Sequence, residues 1–219
     1  IHAGLEIGVA STKAFIGQLI VLYILCLKLS SIRGEIEKKS YNKKIENLNF
    51  LPDAIKETLS LEGKVQLISK EFLNARGSMF LGRGISFPIA LEGALKLKEL
   101  SYLHAEGYPA GEMKHGPLAL IEEGLPVIVI APKDKYFEKT LSNMQEVIAR
   151  GGKILFITDD KRESLSENIR FGLRVPHLDN FLTPILLSVP LQLLAYHVAL
   201  LKNCDIDKPR NLAKSVTVE

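Results

Sequence analysis

Pro126-Val-Ile-Val-Ile-Ala131 and Lys153-Ile-Leu-Phe-Ile-Thr158 decide the fold. Each is a near-continuous run of β-branched or aromatic residues without polar alternation, the pattern of a strand buried on both faces. Such strands need a helical layer on each side of their sheet. Between them, Tyr136 to Arg150 is amphipathic and is stopped by Gly151-Gly152, as a helix would be. Toward the N-terminus, Ser78 to Leu81 reads as a strand ending in Gly82-Arg83-Gly84, and Phe87 to Leu103 as the helix after it. Toward the C-terminus, Gly172 to Pro176 reads as a fourth strand and Thr183 to Lys202 as a long apolar helix. Strands alternating with helices of this length predict a three-layer αβα sandwich on a parallel sheet. Ligands in such sheets sit beyond the carboxyl ends of the strands.

The first third of the chain carries no such strands. Ser11-Thr12 supplies cap-type hydroxyls before an apolar segment, so a helix is expected from about Ser11 to Ser30,. Its core, Phe15 to Leu29, is broken by Gln18 and Lys28 and is shorter than the roughly 20 residues of a bilayer span. A buried helix is expected there, and no membrane partner. Ser31 to Asn49 turns charged and apolar-poor, the composition of a connector that can itself be partly helical,. Pro52 to Asn74 then carries apolar residues at helical spacing, interrupted near Glu62-Gly63, so two helices are expected.

Composition narrows the function classes. The 219 residues include 28 Lys+Arg against 25 Asp+Glu, with 47% hydrophobic residues, which excludes disordered and collagen-like chains. A net charge of +3 with interspersed signs gives no nucleic-acid surface, and Lys38-Lys39 with Lys43-Lys44 reads as a solvated connector. Cys26 and Cys204 form no framework and have no metal-ligand neighbours at short spacing, so no metal is expected and a reducing, cytoplasmic setting is. The sequence opens at Ile1-His2-Ala3-Gly4, without Met or a leader pattern, and reads as a piece of a longer protein.

Three groups of residues could carry chemistry. Gly82-Arg83-Gly84 is half a dinucleotide fingerprint, but Phe87 stands where the third glycine belongs. A tight turn bringing the next helix close to the strand is the sufficient reading. Glu92, Lys96 and Glu99 are spaced i, i+4, i+7 on one face of an otherwise apolar helix,. Pattern alone favours a solvated ion-pair stripe, with an acid/base relay as the alternative. The run from His104 to Pro117 holds two histidines, two glutamates, a lysine, three glycines and two prolines, the make-up of a functional loop on a rigid scaffold. There His104 reads as a structural histidine and His115 as a working one. The terminal stretch from Pro209 to Glu219 has no amphipathic period and reads as a disordered tail,. If ordered, it makes Lys214 a candidate Schiff-base amine.

Four segments go further: Ala-Leu-Glu-Gly-Ala-Leu-Lys-Leu-Lys-Glu (90–99), Glu-Met-Lys-His-Gly-Pro-Leu-Ala-Leu (112–120), Ala-Tyr-His-Val-Ala (195–199) and the terminal Pro-Arg-Asn-Leu-Ala-Lys-Ser-Val-Thr-Val-Glu. Together with Glu-Ile-Gly-Val-Ala-Ser-Thr-Lys-Ala-Phe (6–15), they resemble the family of isomerizing glutamine:fructose-6-phosphate aminotransferases. That family joins a glutaminase domain to two SIS (sugar isomerase) domains of flavodoxin-like architecture. The resemblance implies that residues 1–36 are the helical tail of a first SIS domain. Residues 37–68 would be a helical linker, 69–208 the second SIS domain, and 209–219 an active-site tail.

It also implies roles. Glu99 would move the proton between C1 and C2 of the open-chain sugar, and Lys214 would form an imine with C2 of fructose 6-phosphate. His115 would assist ring opening from the neighbouring subunit of a homodimer. Glu92 and Lys96 would line the same site, and Val9 and Ala213 would offer backbone contacts to the sugar. No cofactor is implied. The family's Ser/Thr-rich phosphate loop and its glutaminase cysteine do not occur in this sequence, so the glutaminase domain would belong to the longer parent. A non-catalytic sugar-phosphate module and an amino-sugar-phosphate deaminase or deglycase are the competing readings.

Overall fold

A computed structural model describes residues 1–161, 169 and 171–214. Five strands form one parallel sheet: β1 (Gly77–Gly82), β2 (His104–Pro109), β3 (Pro126–Ile130), β4 (Lys153–Thr158) and β5 (Phe171–Arg174), in the order β2-β1-β3-β4-β5. This is the flavodoxin-like order, with its switch point between β1 and β3. The α-helices among the described residues are α1 (Lys13–Ile32), α2 (Lys38–Asn49), α3 (Leu51–Leu59), α4 (Glu62–Ser69), α5 (Ser86–Ser101), α6 (Phe137–Ile148) and α7 (Thr183–Leu201).

The strand pair read first behaves as its composition requires. In β3, Ile128 and Ile130 enter one core, while Val127 and Val129 enter the other. In β4, Leu155 and Ile157 face the first core and Ile154 and Phe156 the second. The first core is closed by α5 and α7, with α3 and α4 packed on α7. The second is closed by α6 through Phe137, Met144 and Val147, and by Ala110 and Met113.

Backbone approach sets the spacing between layers. A Cβ on Gly82 would lie 2.3 Å from the carbonyl oxygen of Ser86, and Gly84 has φ +56°. The Gly82-Arg83-Gly84 turn therefore does what its sequence suggests and lets α5 start directly against β1.

Three expectations change. His104–Pro109 is an edge strand, β2, in parallel register with β1 from Gly77↔His104 to Gly82↔Pro109. It is followed by 3-10 turns at Ala110–His115 and Pro117–Leu120. Being an edge, it is only partly buried and keeps a loop-like composition,. His104 accordingly has a side chain 75% exposed, 3.4 Å from Glu106. The connector is helical over α2, in keeping with the helical linker the resemblance implies. The hydroxyls before α1 do not cap it; the Glu6 carboxylate does, accepting the Ala14 amide at 3.3 Å.

The third change concerns α1 itself, which is not a buried helix. It buries only Tyr23 and Leu27, while Leu22, Leu25, Leu29 and Ile32 are exposed. Among the described residues two helices, α1 and α7, are long and apolar enough to cross a membrane; that stretch of α7 is 67% buried within the fold and that of α1 only 11%. Between α1 and the start of α5 runs an apolar groove of about 480 Å³, with Tyr23, Cys26 and Phe181 in its wall.

Candidate functional site

The helix that follows the close turn at Gly82 carries the first cluster. Lys96 is 4% exposed, with its ammonium 2.6 Å from Glu99 Oε2 and 3.6 Å from Glu92 Oε1. The solvated stripe favoured by pattern is therefore corrected: the spacing puts the three residues together, but α5 presents them inward. Burial raises the Glu92 carboxyl above its ordinary value, Lys96 opposes the shift, and the Glu99 charge adds to it. One buried cation thus holds two carboxylates, and of these the Glu92 carboxyl is pushed toward its protonated form,.

The helix ends on a strained residue. Tyr102 caps α5 in the left-handed region, φ 58°, a conformation that costs a non-glycine residue about 1 kcal/mol or more. Its hydroxyl accepts the Arg210 amide at 2.7 Å, and the Arg210 guanidinium lies 4.2 Å from its ring centroid. The tail, expected to be disordered, is thus anchored up to Lys214. Residues 215–219 lie outside the described part.

A cleft of about 260 Å³ opens beside this anchor, walled by Glu6, Gly8, Lys13, Leu100, Tyr196 and Asp207. Its rim joins the two ends of the chain. The Val9 amide donates to the Asp207 carbonyl at 2.9 Å, and Lys214 Nζ donates to Glu6 Oε2 at 2.8 Å. Asp205 fixes the approach to the tail by accepting the amides of Asp207 and Lys208. Ala213 is exposed next to Lys214. Leu100, in the cleft wall, directly follows Glu99 in α5.

The structure thus ties Val9 and Lys214 to two residues of one cleft wall, Asp207 and Glu6, with Ala213 next to Lys214 in sequence, and puts Glu92, Lys96 and Glu99 on the helix that supplies Leu100 to that wall. It does not bring His115 to either group. That side chain is 75% exposed, with Glu112 4.0 Å away. Its turn is nevertheless fixed: Met113 is fully buried, and Lys114 pairs with Glu146 of α6 at 2.9 Å. His115 is held outward on a rigid support.

Sequence reasoning missed Glu6, Tyr102, Asp207 and Arg210. Glu6 and Arg210 lie inside motifs quoted for other residues, and their proximity depends on the tail folding back. It also missed a polar hollow of about 610 Å³ beyond the carboxyl ends of β3, β4 and β5. There buried Asp159 accepts the Lys133 amide and meets His177 Nδ1, both at 2.7 Å, tying three loops together. Among the described residues no group of His, Cys, Asp or Glu could hold a metal ion.

Comparison with known proteins follows the same lines. The chain is 52% identical over its whole length to the glutamine--fructose-6-phosphate aminotransferase [isomerizing] of Bartonella quintana. It is equally similar to that of Bacteroides thetaiotaomicron. It spans 36% of the length of each of these curated relatives. Among solved structures, the C-terminal domain of glucosamine-fructose-6-phosphate aminotransferase from Francisella tularensis superposes with a TM-score of 0.90 at 43% identity, over 94% of this chain and 58% of that one. A glucosamine-6-phosphate deaminase from Thermotoga maritima shares the fold, with a TM-score of 0.71 at 24% identity over 96% of this chain and 58% of that one. Residues 71–202 match the SIS domain, and with the parallel sheet and its flavodoxin-like strand order they establish that this chain belongs to the SIS domain family.

Proposed function

We propose that the chain is the isomerase-side C-terminal part of a glutamine:fructose-6-phosphate aminotransferase, making glucosamine 6-phosphate from fructose 6-phosphate and ammonia released from glutamine. The observation that carries this reading is the folded-back tail: Lys214 stands at a cleft beside the helix that bears Glu92, Lys96 and Glu99. The 52% identity along the whole chain to enzymes of that name supports it.

The chemistry suits these groups. The Lys214 amine adds to the C2 carbonyl of the open-chain ketose and water leaves, giving an imine that acidifies the C1 hydrogens. Ammonia displaces the lysine from C2. Glu99 then takes a proton from C1 and returns it to C2 while the C1 hydroxyl proton passes to the nitrogen, leaving an amine at C2 and an aldehyde at C1. Lys96, 2.6 Å from Glu99, orients that carboxylate, and Glu92 completes the cluster. The backbones of Val9 and Ala213 contact the sugar.

His115 serves ring opening from the neighbouring subunit of a homodimer, which suits its outward position on a fixed turn. A glutaminase domain and a first SIS domain belong to the longer parent, where residues 1–36 complete the first SIS domain, 37–68 link it to the second at 69–208, and 209–219 form the tail. The exposed face of α1 packs against that first SIS domain.

The test is reduction with borohydride after incubation with fructose 6-phosphate, read by intact and peptide mass in this chain and in the full-length parent. An adduct on Lys214, lost in Lys214→Ala, is expected in the parent. Its absence there overturns the imine role. Light scattering that shows only monomer in the parent overturns the role of His115.

A further inference from the structure

We propose that Glu6 is the positioning residue for Lys214: clamped at the start of α1, it holds the amine of the tail at the cleft and sets where that amine meets a sugar-phosphate carbonyl. The second half of this statement rests on reading Lys214 as the imine-forming lysine; the first half does not.

The two side chains come from opposite ends of the sequence and meet at 2.8 Å. Glu6 is not a free surface carboxylate. Its Oε1 accepts the Ala14 amide at 3.3 Å and the Ser11 hydroxyl at 3.4 Å, while Oε2 faces Lys214. Ala14 N–H is one of the first-turn amides that an α-helix leaves without an internal partner, and the positive end of the helix favours an anion there. One carboxylate therefore closes the helix and grips the lysine. The Lys214 hydrogen bond is the main cause that draws the Glu6 carboxyl below its ordinary value; partial burial opposes it, and the Ala14 amide assists.

The rest of the tail leaves Lys214 little choice of position. The Asp207 carbonyl is bonded to Val9 and the Arg210 amide to Tyr102, so only residues 211–214 separate the last backbone anchor from the amine. Consecutive Cα atoms are about 3.8 Å apart, which confines the reach of this short segment. Glu6 fixes its far end. The other charged side chains walling the cleft are Lys13 and Asp207. Lys13 Nζ is turned to the Leu5 carbonyl at 2.5 Å, which leaves Glu6 as the anion that meets Lys214.

Competition reductive methylation with formaldehyde, resolved by peptide mass, reads Lys214 directly in the whole chain. In Glu6→Gln, Lys214 is expected to label about three- to fivefold faster than in the wild type, the release from one exposed ion pair. Lys13 and Lys96 serve as internal references. Thermal unfolding of the same variant reads the separate contribution of Glu6 to the start of α1. Glu6→Asp, which keeps the charge with a shorter reach, is expected to label at an intermediate rate.

An unchanged Lys214 rate in Glu6→Gln overturns the proposal, whatever the melting point does. In the parent, the borohydride-trapped fructose 6-phosphate adduct on Lys214 should fall in Glu6→Gln while methylation rises. If methylation rises and the wild-type parent gives no sugar adduct, Glu6 holds the tail and it is the imine reading that fails. If both rise together, Glu6 merely shields the amine and its positioning role is overturned.

Discussion

Tyr23 is one of several buried residues, with Ser78 and Ser86, whose side-chain oxygen is left without a partner. Its side chain is 8% exposed on the inner face of α1, and its hydroxyl has no hydrogen-bond partner among the described residues. Burial, and secondarily the charge of Asp179, pushes its phenol up to about 12. The folded state thus keeps a proton that the unfolded chain loses near pH 10. The resulting stability is fully present below pH 10 and drains away as pH rises toward about 12. Tyr23→Phe removes the unpaired group and should raise stability by about 1 kcal/mol in urea unfolding at pH 7. It should also flatten the alkaline loss, which a pH series of melting curves would read. Lys96 shows the opposite economy, with both neighbouring carboxylates in reach. The i, i+4, i+7 spacing made that grouping legible in the sequence. What the spacing could not tell was which way the face pointed, because charged stripes usually point to water.

At the scale of elements, the legible parts were those whose composition leaves one solution. Strands β3 and β4 are apolar on both faces and could only be interior, and Gly151-Gly152 could only end a helix. β2 was hidden because an edge strand has one neighbour and half its surface in solvent, so His104, Glu106 and Tyr108 can sit on it as they would on a loop. α1 was misjudged for the complementary reason. Apolar residues all around a helix predict burial, yet the chain in hand covers only one side of it. The close approach at Gly82 gives the test at this scale. Gly82→Ala would drive a methyl into the Ser86 carbonyl, 2.3 Å from the Cβ position. Backbone cannot rotate away as a flexible side chain can, so a loss of roughly 1–3 kcal/mol or more is expected. Urea denaturation read by far-UV circular dichroism would measure it; an unchanged midpoint would contradict the close packing of α5 on β1.

For the whole molecule, the sheet and its two cores form a self-sufficient body, while the candidate cleft depends on contacts between residues 6–9 and 207–214. These have nearly the largest sequence separation the chain allows. Closing so long a loop carries an entropic cost, and only a few hydrogen bonds at the surface offset it. Such contacts form late in folding and open early. In native-state hydrogen exchange, the Val9 amide should therefore exchange through local opening, well below the global unfolding free energy, while the amides of β3 exchange only near it. Equal protection at the two places would contradict this. The junction of the two ends thus behaves as a clasp on a rigid body: it can unfasten and refasten without disturbing the sheet. Any change to residues 6–9 or 207–214 is then a change made at the cleft itself.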